Sequence, residues 1–224
     1  MSIKTLKVSG SDALSTLEAL RNDYLKTGEY PFLIGDEDEL EMFEENSEDR
    51  DGDFEAILQD AKKVNLDSWV KLRRSEIEEY GVIADQLLGD WPGEADEKGS
   101  ISLHRDVLSR KIHKQVYLGL VEIEQPWQLP AAISYGGWND CPMPDVQCAF
   151  HQKWFKQFGA EIVGASSDII ECVVKNPPRD IDSAVALAWE QYWYCSDIVD
   201  QGCESISNLA ATLINSNYWY FWWD

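Results

Sequence analysis

The chain has 224 residues, 44% of them hydrophobic, and a formal net charge of −22. That length and apolar content suffice for a sizeable core, in one large domain or two small ones, and exclude a disordered chain. The charge excludes nucleic acid and anionic membrane as partners and leaves basic proteins or cations, with solubility alone as the plain alternative.

"IKTLKV" alternates apolar and polar residues and predicts a strand from Ile3 to Val8, followed by a helix capped by Ser9 or Ser11 and ended by Gly28. "YPFLIG" reads as a second strand stopping at Gly35, with Pro31 marking a strand start or a sheet edge. Between Asp36 and Asp60 stand thirteen carboxylates and one Arg. Leu40 and Phe43 at i,i+3 predict that part of this run is a helix lying on the core. Asp49, Asp51 and Asp53 alternate as in a calcium loop, but Gly52 falls before the third Asp instead of after it, so a solvated acidic turn is expected. Phe54, Ile57, Leu58, Ala61 and Val64 form a helical stripe, and Asp67 is the expected cap of the next helix. Residues 1–88 are thus an N-terminal α/β segment. Residues 89–101, rich in Gly, Pro and charge, read as a linker or exposed loop before a C-terminal α/β domain over 102–224.

In that second part "KQVYLGLVEIE" predicts a strand from Val116 to Ile123, and "PAAISYGG" is a candidate for another. Asp145 is the expected cap of a helix whose buried face is Phe150, Trp154, Phe155 and Phe158, ended by Gly159. "AEIVGASSDIIECVV" reads as two strands turning at "SSD". A helix starting at Asp180 or Asp182 and another striped by Ile206, Leu209, Ala210, Leu213 and Ile214 follow. The order predicts an α/β (α+β) fold with a mixed sheet and helices packed on it. The closing "YWYFWWD" has no polar break from Tyr218 to Trp223, which predicts an inner strand covered on both faces. An exposed aromatic docking tail is the alternative.

Five Cys occur, all in the C-terminal half, without a CxxC, and no apolar leader or membrane-length apolar run is present; a cytoplasmic protein with reduced thiols is expected. No P-loop, GxGxxG, GxSxG or HExxH occurs, which lowers the standing of nucleotide enzymes, serine hydrolases and metalloproteases. Cys141 and His151 are candidates for a thiolate–imidazole pair. Cys141, Cys148, His151 and Cys195 or Cys203 match no standard zinc spacing, so buried, inert thiols are expected and no metal or cofactor is assigned. From Asp180 to Asp224 there are seven side-chain carboxylates and no Lys, Arg or His, so the negative charge falls in two blocks.

"YGGWNDCP", "FGAEIVGASSDIIECVV", "EQYWYCSDIVDQG" and "NYWYFWWD" resemble a bacterial family of uncharacterised domains, domain of unknown function 4253, over about Val116 to Asp224. "GEYPFLIGD" is similar to an upstream element of some members. The resemblance carries no activity and no catalytic roles. It implies a bacterial cytosolic protein of a type that acts as an immunity protein in toxin–immunity systems.

The leading expectation is therefore an acidic protein-binding module that neutralises a basic toxin domain, more a binder than an enzyme. Its contacts would be Asp36, Glu37, Asp38, Glu39, Glu44, Glu45, Asp49, Asp51 and Asp53, with Tyr194, Asp197 and Asp200 from the "YCSDIVDQG" turn. The alternative is an enzyme or ligand-binding domain with a pocket between the "GGWNDC" and "YCSDIVDQG" segments, drawing on Trp138, Asn139, Asp140, Cys141, His151, Cys195 and Gln201.

Overall fold

The computed structural model describes residues 3–48, 52–79, 81, 83–93 and 99–224. In chain order these form β1 (Lys4–Ser9), α1 (Ala13–Thr27), β2 (Glu29–Gly35), α2 (Glu37–Glu48), α3 (Phe54–Ala61), α4 (Leu66–Glu79) and α5 (Ala84–Leu87). Then come β3 (Gln115–Glu122), α6 (Leu129–Ala132), α7 (Pro144–Phe158), β4 (Ala160–Ala165), β5 (Ile169–Val174), α8 (Ile181–Tyr194), α9 (Ile206–Leu213) and β6 (Tyr218–Trp222). The α/β class expected from the sequence is the one observed. The strands make one mixed sheet in the order β1-β3-β2-β4-β5-β6.

Two antiparallel triplets build that sheet. β3 pairs with β1 and β2, β5 pairs with β4 and β6, and the triplets meet in parallel at Leu33 and Gly164. One sheet thus takes strands from both sides of segment 89–101, of which 94–98 lie outside the described residues.

The period-two alternation of the strands sorts their side chains between two apolar layers. Tyr30, Phe32, Ile34, Ile162, Ile170, Cys172, Trp219 and Phe221 face the larger layer, with Phe150, Trp154, Ala188 and Leu209 from the helices. Leu33, Leu118, Val163 and Ile169 face the smaller one, closed by Ala13 and Leu17 of α1 and by Leu103. β2 and β4 are covered on both faces, and this is why they read as continuous apolar runs. No helix among the described residues is long and apolar enough to cross a membrane.

Several local expectations change. The C-terminal aromatic segment is not an inner strand: β6 pairs only with β5 and forms the sheet edge. Trp219, Phe221 and Trp223 are buried, while Tyr218 and Tyr220 are 37% and 44% exposed, because a phenol can present its hydroxyl to water. "PAAISYGG" contributes the short helix α6 instead of a strand, with Pro130 in its first turn, where a missing N–H costs nothing. Pro31 lies in an inner strand; β2 pairs with β4 at Leu33, two residues past it. At the helix starts, Ser9 and Ser11 bond each other at 2.6 Å and Asp12 precedes α1, while Asn65, not Asp67, caps α4 by accepting from the Ser68 N–H at 2.9 Å. Gly28 and Gly159 end their helices as expected, and Asp180 caps α8. Phe155 and Phe158 are only half-buried, and Asp145 lies inside the first turn of α7 instead of capping it, because the helix already starts at Pro144 after Met143.

Candidate functional site

α2 forms because Phe43 and Leu40 dock on the core while carboxylates occupy the rest of its surface. Glu37, Asp38, Glu44 and Glu45 are exposed there. Asp36, half-buried, lies 3.3 Å from His113. Glu39 turns inward and accepts from the Ser167 hydroxyl at 3.1 Å in the β4–β5 turn. Burial first, and neighbouring Asp168 second, hold its carboxyl above the usual range. Asp53 caps α3 by accepting from the Glu55 N–H at 3.2 Å. Asp49 and Asp51, and with them the calcium-like alternation, lie outside the described residues.

The second acidic block starts at Asp180, the cap of α8, and its candidate contacts cluster where that helix ends. The last residue of α8, Tyr194, is 1% exposed, so it cannot meet a partner as a surface anchor. Its hydroxyl donates to Gln147 Oε1 and lies 3.0 Å from His151 Nε2, and Gln147 Nε2 donates to Cys141 Sγ at 3.1 Å. This chain joins the "GGWNDC" and "YCSDIVDQG" segments inside the core. His151 therefore pairs with Tyr194 and not with Cys141. Desolvation pulls the His151 pKa down to about 3 and pushes the Cys148 and Cys195 thiols up to about 12. Neither an imidazolium nor a thiolate is favoured in such surroundings. No cluster of three or more His, Cys, Asp or Glu able to hold a metal occurs among the described residues.

At the surface the same two segments meet at Arg73 of α4. Its guanidinium bonds Asp140 at 2.7 Å and lies near Asp200, whose carboxyl is raised chiefly by burial. Gly136 and Gly137 have φ of 115° and 89°, and a Cβ on Gly136 would fall 1.9 Å from the Pro142 carbonyl oxygen. Trp138 packs edge-on against Tyr135 at 4.8 Å. The loop is thus a tight turn plugged by its Trp, with Asn139 and Asp140 exposed above a shallow groove of about 220 Å³.

A larger cleft, about 500 Å³, lies elsewhere: beside the free edge of β6, between a π-helical turn at Ile198–Cys203 and the segment from Gly99 to Arg110. Of the candidate residues only Asp197 and Gln201 line it. Asp197 is fully engaged, accepting from Gln201 Nε2 at 3.1 Å and from the Asp224 N–H at 3.1 Å. Trp222 Nε1 donates to Asp168 at 3.0 Å. Asp197 thus ties the second acidic block to the residues that end the chain, and Glu39 of the first block bonds the β4–β5 turn that holds Asp168.

The cleft also holds Arg105, Arg110, Gln191 and Tyr220, none of them a candidate from the sequence. A usable signal existed for the arginines: "HRDVLSRKIHK", from His104 to Lys114, is strongly basic in a chain of net charge −22. Gln191 carried no signal, because its burial depends on how α8 packs.

Residues 117–224, in the C-terminal half of the chain, match a family model described as Domain of unknown function (DUF4253). No curated protein and no solved structure matches the chain.

Proposed function

We propose that this protein, whose residues 117–224 match the DUF4253 family model, is a binding module that captures a basic protein on its acidic surface. An immunity protein neutralising a cationic bacterial toxin domain would work in this way. The observation that carries the reading is α2. Its 12 residues hold seven carboxylates and no Lys or Arg. Like charges at i,i+3 and i,i+4, and carboxylates in the last turn, work against a helix. A cationic partner would relieve that repulsion, and charge of one sign on one face speeds encounter with it.

The test is affinity capture from the native host at low salt, followed by mass spectrometry. The comparison is a variant with Glu37, Asp38, Glu41 and Glu45 all changed to Gln. The reading expects a stoichiometric basic protein with the wild type and its loss with the variant. No stoichiometric partner, or equal capture by both, would overturn it.

A further inference from the structure

The β5–β6 ladder fixes which backbone groups of β6 face the cleft. Trp223 N–H donates to the Asp168 carbonyl at 3.2 Å, and Val174 N–H donates to the Asn217 carbonyl at 2.8 Å. By alternation, 217, 219, 221 and 223 bond toward β5, and 218, 220 and 222 point outward. The two ends of that outer edge are already occupied. The Ser216 hydroxyl donates to the Tyr218 carbonyl at 3.0 Å and accepts from its N–H at 3.4 Å. Cys195 Sγ donates to the Trp222 carbonyl at 3.0 Å. Between them, the N–H and C=O of Tyr220 have no partner among the described residues. A long strand cannot add to such an edge, but a single amide-bearing residue can exchange two hydrogen bonds there.

Three further features belong to the same cleft. Gln191 lines it at 1% exposure, and its Nε2 lacks a hydrogen-bond partner among the described residues. A buried donor left unpaired is costly, so an acceptor from a ligand is the expected complement. Arg105 and Arg110 stand on the hairpin closed by the Arg105–Ile112 bridge. Among the described residues neither has a carboxylate within 4.0 Å, although the chain carries 41 Asp and Glu against 19 Lys and Arg. Arg105 instead donates from Nε to His104 Nε2 at 3.0 Å and from one terminal nitrogen to the Arg110 carbonyl at 3.3 Å, and Arg110 is held at φ 58°, a left-handed conformation that a side chain rarely adopts. Leu209, Leu213 and Trp222 give the cleft apolar walls.

We propose that this cleft binds a small N-acylated amino acid or dipeptide. Its amide pairs with the Tyr220 backbone, its carboxylate is taken by Arg105 and Arg110, and a carbonyl oxygen reaches Gln191. A volume of about 500 Å³ suits a ligand of that size. Guanidinium groups match the planar carboxylate. This binding is separate from capture of a basic protein, which uses α2.

Trp219 and Trp222 line the cleft, so intrinsic fluorescence reports its occupancy. The probes are N-acetylphenylalanine, N-acetylleucine and glycylphenylalanine, each as free acid and as C-terminal amide. At least one acid should bind saturably and about tenfold or more tighter than its amide. In an Arg105→Ala/Arg110→Ala variant that preference should vanish; both side chains are exposed, and an unchanged melting temperature verifies the fold. Gln191→Leu should weaken acid and amide alike. The proposal is overturned if no acid saturates below about 10 mM. Equal affinity for acid and amide, or undiminished binding by the double variant, would overturn it as well.

Discussion

His151 reaches the Tyr194 hydroxyl inside a shell formed by the rings of Trp154, Tyr194 and Phe221. Its pKa falls from 6.5 to about 3 there, through desolvation. As the pH drops below 6.5 the unfolded chain takes up a proton that the folded core refuses. The group's stability is thus present above that pH and is lost as the pH falls toward the folded value. At about 1.4 kcal/mol per pH unit, about 2 kcal/mol should be gone by about pH 5. Urea midpoints measured at several pH values should therefore fall more steeply for the wild type than for His151→Phe; parallel curves would contradict this. Gly136 makes a second prediction at this scale. Its φ is 115°, and a Cβ there would stand 1.9 Å from the Pro142 carbonyl oxygen. Gly136→Ala should therefore cost at least about 2 kcal/mol in thermal unfolding.

β6 shows where sequence reading succeeds and where it stops. Unbroken aromatic character correctly announced burial of Trp219, Phe221 and Trp223, but it could not distinguish an inner strand from an edge strand with one wet aromatic face. The two central strands, β2 and β4, were legible as strands, although Pro31 argued for an edge. Helix ends marked by Gly28 and Gly159 were legible because a left-handed residue is a local requirement. The cleft was not legible, since Arg105, Gln191 and Tyr220 are brought together only by long-range packing. The edge placement predicts a contrast within the strand. Phe221→Ala should cost about 3–5 kcal/mol and Tyr220→Ala no more than about 1 kcal/mol in denaturant unfolding. Similar losses for both would mean that the two faces are equally buried.

Charge is the property of the molecule as a whole. A net charge of −22, with α2 carrying seven carboxylates and no cation, makes the folded state repel itself. Screening should relieve this. Raising NaCl from about 0.02 to about 0.3 M is expected to raise the melting temperature by several degrees, and the Glu37/Asp38/Glu41/Glu45→Gln variant should respond less. A melting temperature that does not change with salt would mean that this repulsion is negligible. The surface that destabilises the isolated protein is the one proposed to receive the basic partner, so stability and recognition should trade against each other at α2. The most direct measurement is the association rate constant with the captured partner across a salt series. An acidic capture surface predicts a fall of about tenfold or more between about 0.05 and about 0.5 M NaCl, and a smaller fall for the α2 variant. A rate indifferent to salt would contradict the electrostatic account of what this protein binds.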